Sequence, residues 1–441
     1  RQRPRERVSV AIALNTDQKR RRPVVVDRRA DLAELARLCR NKFRRRPAAF
    51  YTSRGLPLAG GEALDRCTDG VVFASLGEPF VGKVARAAAV PSSSSSPPPP
   101  PPPPLDAHWA RGHLYGGALP GMPTPRALFG AATAGGRILC FGGLAFDASL
   151  GGFRDTAVLE IYDAETNAWS TPEAGSLLVP RAGLAGVAAM DGVYAIGGAQ
   201  HPRQQDPGRG RRPLSFPTTL GVVERLDIDP ESGELLGWER VAEMPSNLTS
   251  MAVTTNARGD KIYVAGGVGN PGGLYEYDVV KNEWATIGQM QTARESMVMA
   301  YLSPGVIMMI GGMTGFGDST GTFSPSPLKT VETFNVTSRV SVNNIFPEPE
   351  TRRHSAAAVT IKLGGIGDAG IVMLGGNSNG DTGSVEVLRP IGSRKDGAVQ
   401  WNWSGLPEMP TARMMLAAVE VDGCIYAMGG VAFNALQTNN P

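Results

Sequence analysis

The sequence is poor in the residues that most metal and redox chemistry uses: its 441 residues include four cysteines and four histidines. Cys39, Cys67, Cys140 and Cys424 lie too far apart for a CxxC pair or a dense disulfide framework, so a reducing, cytoplasmic setting is the expectation. Of His108, His113, His201 and His354, only the first two are close enough to share one strand face, and no metal or cofactor is expected. Charge of one sign is lacking as well. The 44 basic and 41 acidic residues leave a net +3, which argues against a uniformly basic nucleic-acid binder. Apolar residues never run unbroken for long. The nearest approach, Ser296 to Met313, is interrupted by Ser303, Pro304 and glycines, so no membrane span is expected. The chain opens RQRPRERVSV, without an initiator Met or an apolar signal core, as a processed chain or a fragment would.

Turn-formers are abundant: 55 glycines and 35 prolines in a chain of this length imply more than one folded unit. The near-zero net charge also conceals an asymmetry. Residues 1–90 carry 20 Lys and Arg against 9 Asp and Glu, or +11, leaving −8 on residues 91–441. The two halves are therefore expected to meet different partners. Between them lies PSSSSSPPPPPPPP, Pro91 to Pro104, ending in eight consecutive prolines. Polyproline extends by ~3.1 Å per residue as a semi-rigid rod, so a spacer is expected, with a profilin- or SH3-type ligand as the alternative. The resulting division is a basic tail over 1–7, a small domain over 8–84, a linker over 85–105 and a large domain over 106–441.

In the small domain, Val8 to Leu14 alternates as a strand, Arg20 to Arg22 are expected in a turn, and Pro23 to Asp27 reads as the returning strand. A helix is expected next, with Asp31 as its N-cap and Leu32, Leu35, Leu38, Cys39 and Phe43 on one face. Short strands joined by glycine turns complete an α+β, ubiquitin-like roll.

The large domain is repetitive. An apolar strand ending in Gly-Gly occurs six times, at Gly142-Gly143, Gly197-Gly198, Gly266-Gly267, Gly311-Gly312, Gly375-Gly376 and Gly429-Gly430, spaced by 55, 69, 45, 64 and 54 residues. Between these lie segments such as LEIYDAETNAW (Leu159 to Trp169) and LYEYDVVKNEW (Leu274 to Trp284). Each unit thus comprises an Arg-headed strand, a Gly-Gly strand, a strand ending near Tyr-Asp and a strand carrying Trp. Gly-Gly permits positive φ where sheets crowd, and the aromatic residues fill the space between neighbouring sheets. One four-stranded sheet cannot bury both faces alone, so radial packing into an all-β propeller follows.

This combination resembles the kelch repeat over about residues 106–441 and implies a six-bladed kelch propeller. The sixth unit continues after Gly430 only as VAFNALQTNNP, so its blade is expected to be incomplete, with Ala432 to Thr438 as a partial substitute and His108 to Tyr115 as an outer strand joining the two ends. The chain is accordingly expected to stop short of the natural C-terminus. The first domain is similar to a doublecortin domain in its basic hairpin, YTSRGLPL (Tyr51 to Leu58) and DGVVFASLGEPF (Asp69 to Phe80).

Two sets of candidate binding residues follow. Arg126, Arg181, Arg294, Arg353 and Arg413 head inner strands, and clustering at one mouth of the channel would attract carboxylates or phosphates. Some kelch propellers, by resemblance, read acidic peptides with arginines at this repeat position. The alternative is that each arginine caps a loop or pairs with acidic groups of the neighbouring blade. In the first domain, Lys19, Arg20, Arg21 and Arg22, with Arg44, Arg45 and Arg46, form the densest basic runs. The doublecortin resemblance implies tubulin on the microtubule surface as their target. Neither run carries the interleaved aromatics of an RNA-binding surface.

Catalysis is not expected. A galactose-oxidase-like copper site, the enzyme this propeller type suggests, needs histidines, and His354 is the last one after residue 201. No Gly-Gly pair forms GxGxxG at a strand-to-helix turn, and no Ser-His-Asp set stands out. The expected function is therefore a non-catalytic intracellular scaffold, docking on the cytoskeleton through its basic domain and holding a protein partner on its propeller. A substrate adaptor for ubiquitin ligation is the alternative.

Overall fold

The computed structural model describes four strands within residues 7–75 and residues 119–432, apart from 150, 173–174, 191, 202–216, 230–231, 303–304, 315–325, 344–345, 364–368 and 394–398. The chain divides into two units, Arg1–Pro98 and Pro99–Pro441, and the boundary falls inside the Ser/Pro tract.

In the first unit, Arg7–Leu14 pairs antiparallel with Asp17–Asp27 and parallel with Val71–Ser75, which in turn pairs antiparallel with Ala49–Thr52. The hairpin corrects one expectation. Leu14 pairs with Asp17, and Lys19 and Arg20 to Arg22 lie within the second strand. The expected helix and Arg44 to Arg46 lie outside the described residues.

The second unit consists of antiparallel sheets. Five have four strands in simple meander order, beginning with the inner strands Gly130–Ala134, Ala185–Ala189, Ala252–Thr255, Val298–Leu302 and Ala357–Lys362. The sixth has two strands among the described residues, Ala417–Val421 and Cys424–Met428. Each inner strand packs beside the next, and Ala417–Val421 packs beside Gly130–Ala134, so the six sheets form the closed radial ring of a β-propeller. His108 to Tyr115 and residues 433–441 lie outside the described residues.

Two rings of backbone hydrogen bonds close the circle. The N–H groups of Gly183, Ser250, Ser296, Ser355 and Met415 each donate to the equivalent carbonyl of the preceding blade, and Leu128 donates to Met415. All six donors have φ between 53° and 66°. The second Gly of each Gly-Gly pair donates to the next blade at the arginine position: Gly143 to Arg181, Gly198 to Leu248, Gly267 to Arg294, Gly312 to Arg353, Gly376 to Arg413 and Gly430 to Arg126. This contact is why the pair must be glycine. A Cβ on Gly429 would lie 2.6 Å from the Arg126 carbonyl oxygen, and one on Gly430 would lie 2.6 Å from that of Met414.

Apolar burial lies between the blades. Phe141 meets Trp238 edge-on at 5.0 Å between blades one and two, and Tyr194 meets Tyr277 at 5.8 Å between blades two and three. Ile138, Cys140 and Tyr162 of blade one share a core with Val419, Val421 and Met428 of blade six. Tyr-Asp also has a local role. Asp163 and Asp278 accept backbone N–H groups of the turn that follows, while Tyr162 and Tyr277 donate to Asn167 and Asn282. Those two asparagines hold positive φ, so the motif builds the hairpin as well as filling space. The outer Trp residues tie in their blade's lead-in segment: Trp169, Trp284 and Trp403 donate to the carbonyls of Pro120, Ala242 and Pro347.

Candidate functional site

The arginine row occupies one end of the propeller, where each inner strand begins and each second strand ends. The Arg126, Arg181, Arg294 and Arg353 side chains are 0% exposed. Each forms an ion pair with a glutamate in the third strand of its own blade: Arg126 with Glu160 and Arg181 with Glu224, both at 2.6 Å, Arg294 with Glu332, and Arg353 with Glu386. Further guanidinium donors bond backbone carbonyls, among them those of Gly142, Gly197, Gly311 and Gly375, while the Arg353 Nε is buried without a partner among the described residues. The glutamates also accept backbone N–H groups from the lead-in loop, as Glu224 does from Leu178 and Val179. Burial pulls the Arg181, Arg294 and Arg353 pKa values down, and the paired glutamates oppose it.

These four arginines are therefore internal struts, joining lead-in loop, second strand and third strand, and they present no open ring of guanidiniums to a ligand. The expectation of a cationic mouth is corrected on this point. The alternative, ion pairing, holds, with the acid drawn from the same blade and not from its neighbour. Blade three confirms the logic by departing at both positions. Leu248 stands at the arginine position and Tyr275 at the glutamate position, both buried, and the Tyr275 hydroxyl is shared with Ser246 and Asn270. Arg413 differs again. It is half-buried and bonds the Gly429 carbonyl at 3.1 Å, but no carboxylate pairs with it among the described residues.

The mouth itself is lined by the two residues after each arginine and, in blade three, after Leu248. The first of them form a buried layer: Ala127, Ala182, Thr249, Glu295, His354 and Met414. The second are the residues of the inner hydrogen-bond ring: Leu128, Gly183, Ser250, Ser296, Ser355 and Met415. The Thr249 hydroxyl donates to Gly183 at 3.2 Å, which directs this layer toward the neighbouring ring residue. Blades six, one and two contribute Ala, Gly, Leu and Met. Blades three, four and five contribute Thr, Glu, His and three Ser. The mouth is thus apolar on one half and polar on the other. Burial pushes the Glu295 carboxyl up from the ordinary range and the His354 imidazole down. The His354 Nδ1 lies 3.0 Å from the Ser355 hydroxyl.

The connections after Gly-Gly rise around this mouth. In blade one, Leu144–Asp147 and Gly152–Asp155 form a hairpin that also pairs with Arg126–Ala127. Its Phe146 and Phe153 face each other with centroids 5.5 Å apart and are 59% and 60% exposed. Asp155 anchors the next connection, accepting from the His201 backbone N–H and lying 2.8 Å from its Nδ1.

Sequence reasoning singled out the arginines but not their partners, although LEIYD, VERLD, VETFN and VEVLR all carry Glu at one position and LYEYD carries Tyr. The mouth residues were equally legible in the triplets RAL, RAG, LTS, RES, RHS and RMM. Lys19 and Arg20 to Arg22 share one strand. Among the described residues no group of three or more His, Cys, Asp and Glu could hold a metal ion. No helix among them is long and apolar enough to cross a membrane.

The kelch motif matches residues 125–172, which span blade one from its lead-in to just beyond Trp169. No curated protein matches the chain in sequence. Among solved structures, that of YjhT covers 65% of this chain and 86% of its own, with a TM-score of 0.50 at 16% identity. Similarity at that level concerns fold alone. In fold, then, the second unit is similar to kelch-type β-propellers, and blade one carries the kelch motif itself.

Proposed function

We propose that this chain is a non-catalytic binding protein whose propeller holds a protein partner. The observation that carries this reading is the Phe146–Phe153 pair, two large aromatic rings held in solvent on a hairpin beside the axial mouth. Exposed aromatic pairs on a rigid support are favoured anchors for a partner surface, since each buries much apolar area at little entropic cost. The Asp147–Arg154 ion pair at 2.8 Å braces the same hairpin. The test is affinity capture by the full chain, compared with Phe146→Ala combined with Phe153→Ala. At least tenfold loss of a defined partner at unchanged melting temperature is expected, and an unchanged set of captured proteins overturns the reading.

The excess of +11 on residues 1–90 supports a second contact, with an acidic surface. By its doublecortin resemblance, the first unit docks on microtubules. Co-sedimentation of the full chain should fall as salt rises, and fall further when Lys19, Arg20, Arg21 and Arg22 are reversed to Glu. Pelleting insensitive to both contradicts that contact.

A further inference from the structure

The twelve residues of the axial mouth contain one anionic side chain, Glu295, and no cationic strut reaches into it. Glu295 is 4% exposed, and no ion pair or hydrogen bond engages its carboxylate among the described residues. The Arg294 guanidinium next to it in sequence is turned into the blade and committed to Glu332. Arg413, with which no carboxylate pairs among the described residues, stands two blades away around the ring. A buried carboxylate without a cation is costly, and a charge kept at that cost in a concave site is characteristic of a ligand-binding position.

Geometry restricts the ligand. Six ring residues linked by backbone hydrogen bonds stand about 5 Å apart, so their Cα atoms lie on a circle of about 5 Å radius. A ring of about that radius favours a slim, unbranched group over a bulky one. The lining is divided to match such a group. Leu128, Met414 and Met415 offer apolar, adaptable surface, while Ser250, Ser296 and Ser355, together with Thr249, offer hydroxyls beside the carboxylate. His354, whose burial disfavours the charged imidazole, adds a hydrogen-bonding nitrogen.

We propose that the axial mouth binds a primary ammonium on an alkyl stem, the chemistry of a partner's lysine side chain, with Glu295 receiving the charge and Leu128, Met414 and Met415 packing on the stem. This deepens the reading of the propeller as a protein-binding module, and rests on it for the identity of the natural ligand. The site itself is tested without any partner.

The experiment titrates the full chain, labelled with 13C on its methionine methyl groups, with butylammonium, and in parallel with butanol and butyrate. Met414 and Met415 signals are assigned by Met414→Leu and Met415→Leu. Saturable shifts of these two signals with butylammonium, at least tenfold weaker for butanol and absent for butyrate, are expected. Glu295→Gln should weaken butylammonium at least tenfold without lowering the melting temperature, because the amide removes a buried charge and keeps the shape. Equal binding by parent and Glu295→Gln, or preference for butyrate, overturns the site. A Glu295→Gln variant that melts well below the parent also overturns it, since the carboxylate would then be a structural partner. Retained butylammonium binding with lost partner capture in the Phe146 and Phe153 variant would separate this site from the hairpin contact.

Discussion

The backbone N–H of Leu128 donates to the carbonyl of Met415 at 3.2 Å, joining the first inner strand of the propeller to the last. Those residues are 287 positions apart, and the bond is one of six equivalent bonds that run through every blade. The ring of sheets is therefore closed at its axis, even though blade six has two strands among the described residues. Closure is repeated one step outward, where Gly430 donates to Arg126, and again in the core shared by Tyr162, Val419 and Met428.

Closure makes the glycine before that bond sensitive. Gly429 holds φ 59°, and a Cβ there would meet the Arg126 carbonyl oxygen at 2.6 Å. Gly429→Ala should cost about 2–4 kcal/mol, from overpacking and from the strained backbone together. Gly121→Ala, with nothing within 4 Å of the added Cβ, is the control and should change stability by less than about 0.5 kcal/mol. Chemical denaturation of the two variants checks both values.

Arg353 and Arg413 occupy equivalent positions with unequal surroundings. Removing Arg353 leaves Glu386 buried without its cation, so Arg353→Leu should cost about 3–5 kcal/mol. Arg413 has no such partner among the described residues and is half-buried, so Arg413→Leu should cost about 1 kcal/mol. Parallel urea melts decide it, and equal losses would mean that the carboxylate pairing contributes little.

The His201–Asp155 contact introduces a pH dependence. Its hydrogen bond to Asp155 raises the His201 pKa above the ordinary 6.5, against the opposing effect of burial. A group with a raised folded-state pKa contributes stability that is full below its unfolded pKa and is lost as pH rises through the folded value. The tie between the two connections should therefore loosen on going from mildly acidic to mildly alkaline pH. Proton NMR titration of His201 should give a midpoint above 6.5, which Asp155→Asn lowers. An Asp155→Asn midpoint equal to the parent's contradicts the assignment.

Much of this fold is legible in the sequence because its constraints are steric and repeat. Two carbonyl oxygens crowd each Gly-Gly pair, so no other residue fits, and six copies of the pair mark six blades. The first hairpin departs from its sequence reading because charge alone makes Arg20 to Arg22 look like a turn, whereas they lie within the strand Asp17–Asp27. The arginine row was recognised but mislocated. A residue at the head of an inner strand can face the channel or the blade, and alternation alone does not distinguish the two. The distinguishing cue was the matched loss of Arg and Glu in blade three, at Leu248 and Tyr275.

That natural replacement provides the most direct test of the claim that the arginine row is internal scaffolding, while binding lies elsewhere at the mouth. Arg353→Leu and Glu386→Tyr, made singly and together, transplant the blade-three pair into blade five. Each single change should destabilise strongly, by about 3–5 kcal/mol for the arginine. The double variant should recover at least about 2 kcal/mol relative to the sum of the two, with partner capture and butylammonium binding unchanged. Additive losses in the cycle, or a stable double variant that no longer captures its partner, would contradict the account.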